Sequence, residues 1–106
     1  MVQIPISIID IIKAIRIRIG NELDIKKVFL FGSYAKGTYS ENSDIDICIV
    51  AANVENEFLA AFKIAPKITN IDARVEPIVI SEKDFNERNV FGIVKEIKTY
   101  GIEIVQ

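Results

Sequence analysis

The stretch Val28–Val50 reads VFLFGSYAKGTYSENSDIDICIV. An apolar run, Val28–Phe31, stops at Gly32-Ser33, ten residues separate Ser33 from Asp44, and a second run occupies Asp44–Val50. Both runs are rich in β-formers. The connection between them is too short for an ordinary crossover, so the two are expected as antiparallel neighbours. That pairing decides where polar chemistry can sit. Strand one delivers Gly32-Ser33 to the end of the sheet at which strand two begins with Asp44. In strand two, Asp44, Asp46, Cys48 and Val50 share one face while Ile45, Ile47 and Ile49 share the other. Beyond the aspartates both faces are apolar, which predicts a central strand.

The remaining elements follow from periodicity. Ile8, Ile11, Ile12, Ile15 and Ile19 recur at helical spacing and predict a helix from Ser7 to about Leu23. "SYAKG" is expected to form one helical turn with Ser33 near its start. Val54–Ile64 reads as a short amphipathic helix through Phe58, Ala61 and Phe62, closed by Pro66. Ile71–Ile80 reads as a third strand with Asp72, Arg74 and Glu76 on one face, and Pro77 points to a sheet edge or bulge. Ser81 with Asp84 resembles a helix start. Phe91–Tyr100 predicts a last helix with Gly101 as its C-cap, and "IEIV" a terminal strand. The expected class is α/β of the α+β two-layer type: a small mixed sheet backed by helices, in one domain spanning residues 1–106.

Composition excludes several chemistries. The 106 residues contain no histidine and one cysteine, Cys48. A histidine-dependent triad and a structural zinc site are therefore ruled out. Cys48 lies in an apolar strand pattern and reads as a small buried hydrophobe, consistent with a reducing cytoplasmic location. The net charge is −2, without the broad basic footprint of a nucleic-acid binder. The apolar start "IPISIIDIIKAI" is too short and too charged to span a bilayer and lacks the order of a signal peptide.

Residues two apart on a strand lie about 6–7 Å apart on one face. Asp44 and Asp46 so placed repel each other, and a divalent cation removes that penalty. Oxygen-only donors select a hard ion, and Mg²⁺ characteristically takes one or two carboxylates plus substrate phosphates. Gly32 permits close backbone approach, and the N–H groups and hydroxyl at Ser33 suit phosphate oxygens. Together these describe a metal-bound polyphosphate and in-line displacement at phosphorus. A lone Gly-Ser or a lone Asp-x-Asp is common by chance and would read as a turn or a solvated strand start. The joint pattern, placed between two strands, is far more specific.

"GSYAKGTYSENSDID" resembles the signature of the nucleotidyltransferase superfamily that includes DNA polymerase β: Gly-Ser, ten residues, then Asp-x-Asp. The chain is similar in size to the minimal members of bacteria and archaea. The resemblance implies a mixed sheet backed by helices, ATP with Mg²⁺ as donor and cofactor, and transfer of a nucleoside monophosphate with release of pyrophosphate. Carried onto this sequence, Gly32 and Ser33 hold the triphosphate, and Asp44 and Asp46 bind the metal. A third carboxylate on a later strand shares the metal and helps deprotonate the acceptor. Glu76 in "VEPIVI" is the first choice, with Asp72 of the same parity in reserve. The plain alternative for Glu76 is a solvated strand residue paired with Arg74 or a lysine. Lys36 stands where many relatives have arginine, which keeps the positive charge but loses the bidentate fork. The third carboxylate is Glu where Asp is commoner.

The resemblance also implies a partner. The chain ends soon after the third strand, so a second copy or another protein is expected to complete the cleft. In the antitoxin-type group that this chain resembles, that partner is a small all-helical RNase toxin, silenced by AMP placed on a tyrosine. A neutralising module that acts by contact alone, and a small nucleotide sensor, are the alternatives.

Overall fold

The computed structural model describes residues 3–87 and 92–105. A first helix, α1 (Ile6–Ile19), leads into strand β1 (Asp24–Phe31), the single turn α2 (Ser33–Lys36) and strand β2 (Ile45–Ala52). Helix α3 (Glu57–Ile71), strand β3 (Val75–Ser81), helices α4 (Glu82–Glu87) and α5 (Gly92–Tyr100) and the short strand β4 (Ile102–Glu103) complete it. The four strands form one mixed sheet in the order β3-β2-β1-β4. β1 is antiparallel to both β2 and β4, and β2 is parallel to β3. The fold is α+β, with a mixed sheet backed by helices, as the sequence predicts. Helix α3 makes the crossover that a parallel β2–β3 pair requires.

Alternation along β2 places its side chains in two cores. Ile45, Ile47 and Ile49 pack with Ile8, Ile12, Ile15 and Ile19 of α1 and with Ile64 and Ile68 of α3. Cys48 and Val50 pack on the other face with Phe31, Ile80, Phe85, Val94 and Ile97, under α4 and α5. The second, smaller layer explains why both faces of β2 are apolar. Burial also pushes the Cys48 thiol up to about 12, so it stays protonated and inert at neutral pH.

Three expectations need correction. Pro66 does not close a helix; it lies inside α3, which runs from Glu57 to Ile71. Asn56 starts that helix, its side chain accepting from the Leu59 N–H at 2.9 Å. Pro66 is exposed, so the carbonyl that its missing N–H leaves unpaired can turn to water. Nor do Phe58 and Phe62 form the buried stripe. They are 83% and 70% exposed, and the inward residues are Ile64 and Ile68. Finally, β3 begins at Val75 rather than Ile71, because Asp72 ends α3 and its carbonyl accepts from the Val75 N–H in a tight turn.

Other elements agree with the sequence within a few residues. α1 ends at Ile19 rather than near Leu23, and β1 starts four residues before Val28. Ser81 starts α4, its hydroxyl accepting from the Asp84 N–H at 3.1 Å. Gly101 N–H donates to the Ile97 carbonyl at the end of α5, and Phe91, the expected first residue of that helix, lies outside the described residues. No helix among the described residues is long and apolar enough to cross a membrane.

Ile49 is fully buried on the larger face of the central strand. Ile49→Ala should cost about 2–5 kcal/mol through lost burial and an unfilled cavity. Urea unfolding should show a lower midpoint at an unchanged slope.

Candidate active site

The bend after β1 and the start of β2 meet as the antiparallel pairing requires. Asp46 lies opposite Phe31, the last residue of β1. On its other side Asp46 lies opposite Glu76 of β3 in the parallel register. The Ile45 N–H donates to the Arg74 carbonyl at 2.9 Å, locking the starts of β2 and β3 together. Asp44 immediately precedes β2. The three acids Asp44, Asp46 and Glu76 are therefore gathered at one end of the sheet.

Gly32 is the hinge of the site. Its φ is +71°, in the region that L side chains disfavour. A Cβ there would overlap Oδ2 of Asp46 and stand 3.1 Å from its Cγ. The Asp46 carboxylate thus occupies the space that any other residue at position 32 would fill. α2 follows directly, with the Lys36 N–H donating to the Gly32 carbonyl, and Gly37 ends the turn at a φ of +78°. The polar loop closes back through Ser40 and Ser43, whose hydroxyl accepts from the Ser40 N–H at 2.8 Å. Tyr34 and Tyr39 stack on each other with centroids 4.3 Å apart, so the buried Tyr34 ring packs the loop against the core.

The acids act on one another. Burial, then the charges of Asp44 and Glu96, hold the Asp46 carboxyl above its ordinary value. The Asp44 charge is the main cause that raises Glu76, followed by burial, Asp46 and a hydrogen bond with Asp44. Among the described residues none of the three is ion-paired to a lysine or arginine. Arg74, the basic alternative for Glu76, is instead committed to Asp72. Its Nε and a terminal nitrogen donate to the two Asp72 oxygens at 3.1 and 2.8 Å. The reserve candidate Asp72 is thereby held in the turn after α3, and Glu76 is the acid brought to Asp44 and Asp46.

A hard divalent cation fits this donor set. The carboxylates repel one another, and all donors are oxygen. Among the described residues no group of three or more Asp, Glu, Cys or His side chains converges closely enough to hold a metal ion.

A nucleotidyltransferase domain model matches residues 9–104. The chain belongs to the nucleotidyltransferase domain family. A Methanocaldococcus jannaschii relative, "Putative protein adenylyltransferase MJ0141", is 33% identical over 103 residues, covering 92% of this chain and 99% of that protein. "Protein adenylyltransferase MntA" of Shewanella oneidensis is 35% identical over 65 residues, 60% of this chain and 46% of that one. A crystal structure described as a toxin–antitoxin complex with AMP-PNP superposes with a TM-score of 0.63 at 24% identity, covering 92% of this chain and 72% of that chain. That likeness establishes the nucleotidyltransferase fold.

Two features of this nucleotidyltransferase were not expected from its sequence. Lys36 does not reach freely into solvent: its ammonium lies 3.2 Å from Glu96 Oε1 and 5.2 Å from the centroid of the Tyr100 ring. Glu96 is a further acid whose charge reaches Asp46. No motif spacing marks it, because it comes from α5, half a chain away.

Gly32→Ala should destabilise the fold by about 1–3 kcal/mol, through its positive φ and the displaced Asp46 carboxylate. Thermal unfolding with and without Mg²⁺ should show both the lower midpoint and a weaker response to the metal. A carboxyl raised in the folded state binds its proton before the unfolded chain does. Its penalty is therefore fully present above the raised pKa and is relieved as pH falls through it. Asp46→Asn should accordingly raise the thermal midpoint of the metal-free protein at pH 7. That gain should vanish as the pH drops below about 4, the ordinary carboxyl range.

Proposed function

We propose that this nucleotidyltransferase transfers AMP from ATP, with Mg²⁺, to a hydroxyl of a partner toxin protein and acts as the antitoxin of the pair. The observation that carries the chemistry is the placement of the Asp46 carboxylate against the Gly32 bend, with Asp44 and Glu76 beside it. The choice of AMP and of a protein acceptor is supported by relatives named as protein adenylyltransferases. The choice of a toxin partner and of ATP is supported by the likeness to a toxin–antitoxin complex holding AMP-PNP. Residues 1–106 act in this reading as one domain, in the cytoplasm, with a small helical protein completing the cleft.

The residues divide the work as follows. Backbone N–H groups and the hydroxyl at Gly32-Ser33 hold the β- and γ-phosphates, and Lys36 adds a cation to them. Asp44 and Asp46 would hold Mg²⁺, with Glu76 as the third carboxylate. When bound, the ion neutralises charge that develops on the transferring phosphoryl group. The acceptor hydroxyl attacks the α-phosphorus in line. A new oxygen–phosphorus bond forms, the α–β anhydride bond breaks, and pyrophosphate leaves with its electron pair. The hydroxyl proton passes to a nearby carboxylate, a role for Glu76 supported by its position opposite Asp46 in the register.

The test is label transfer from α-labelled ATP to the co-expressed partner, followed by mass measurement. Wild type should add AMP in a Mg²⁺-dependent manner. Asp44→Asn with Asp46→Asn should reduce transfer by at least about a hundredfold. Undiminished transfer by that double variant would refute the site. Undiminished neutralisation of the partner without transfer would instead support a module that acts by contact alone.

A further inference from the structure

The cation assigned to the phosphates has a carboxylate partner of its own. Lys36 ends the one-turn helix that follows Gly32-Ser33, so its stem starts beside the phosphate-binding bend. Its ammonium is directed to α5, where Glu96 Oε1 lies at 3.2 Å and the Tyr100 ring lies beneath it. Glu96 and Lys36 are both about two-fifths exposed, so the pair is open to competition from solvent and solutes. Glu96 also adds negative charge at the place where a triphosphate must settle, because its field reaches Asp46.

We propose that Glu96 and Tyr100 hold Lys36 in reserve, and that binding of the magnesium-bound triphosphate draws the ammonium from Glu96 to phosphate oxygen. Glu96 is then a positioning residue that sets nucleotide affinity by competing for Lys36. This rests on the assignment of the Gly32-Ser33 bend as the triphosphate site. The physical basis is an exchange of anions. The carboxylate of Glu96 carries one negative charge, while the triphosphate presents several closely spaced ones, so the exchange runs toward the nucleotide. Tyr100 holds the ammonium near its starting position by cation–π attraction, which limits the entropy lost when the lysine is transferred. Lysine suits such an exchange better than arginine. Its ammonium is a compact charge on a flexible stem, without a planar fork to realign.

The test is a double-variant cycle read by calorimetry. The probe is Mg²⁺ with an ATP analogue carrying a methylene bridge between the α- and β-phosphorus, which cannot transfer AMP. Glu96→Gln should bind it about two- to fivefold more tightly than wild type, the range set by the strength of an exposed ion pair. Lys36→Ala should bind more weakly. In the Lys36→Ala background, Glu96→Gln should recover clearly less affinity than it does with the lysine present. With substrate and partner, the gain should appear in KM for ATP while kcat changes little. Equal gains from Glu96→Gln with and without Lys36 would mean that Glu96 acts only as a background charge, and would overturn the proposal. Weaker binding by Glu96→Gln would overturn it too. Failure of wild type to bind the analogue at all would instead remove the underlying triphosphate assignment, and the exchange with it.

Discussion

The close approach of the Asp46 carboxylate to Gly32 is the constraint on which the site depends. An acid cannot stand there unless the facing residue lacks a Cβ and its backbone turns through a positive φ. That single contact couples the end of β1, the turn of α2 and the start of β2. It fixes the Asp46 carboxylate in the space that a side chain at position 32 would fill. The antiparallel register of β1 with β2 and the parallel register of β2 with β3 then bring Glu76 to the same place from the other side.

Such a cluster is held against its own repulsion. Burial, then the charges of Asp44 and Glu96, raises the proton affinity of Asp46, and chiefly the Asp44 charge raises that of Glu76. The opposing term comes from the rest of the molecule. β2 is buried on both faces between an isoleucine-rich layer under α1 and α3 and a smaller layer under α4 and α5. Those layers stabilise the strand that carries the acids well beyond what like-charge repulsion near a surface costs. The packed strand thus holds like charges together at one end of the sheet, an arrangement that a hard cation would relieve. Lys36, at the end of the turn that follows Gly32, is tied to Glu96 and Tyr100 rather than paired to these acids.

Much of this was legible along the chain because the decisive contacts are local or strictly periodic. The strand pair, the bend and the Asp-x-Asp parity follow from alternation and a short connection. The stripe of α1 follows from its spacing, with Ile8, Ile12, Ile15 and Ile19 buried as expected. α3 departs from the pattern its large aromatic residues suggest. Phe58 and Phe62 mark an apolar face, yet the sheet selects Ile64 and Ile68, and Pro66 is tolerated where its unpaired carbonyl meets water. Asp72 and Glu76 share parity in the sequence. Only the turn that ends α3 takes Asp72 off the strand and hands it to Arg74. Glu96 had no signal at all, since its relation to the site passes through the packing of α5.

By itself the sequence determined the chemistry that this end of the sheet can do: a glycine that permits a close approach, a hydroxyl at a turn, and two carboxylates on one strand face. Those are matters of residue type and short spacing, which the covalent chain enforces before any packing occurs. The tertiary structure alone decided which later acid joins them, which carboxylate Lys36 pairs with and which face of α3 is hidden. These depend on register between strands distant in sequence and on how helices settle on the two faces of the sheet, and no local rule specifies either.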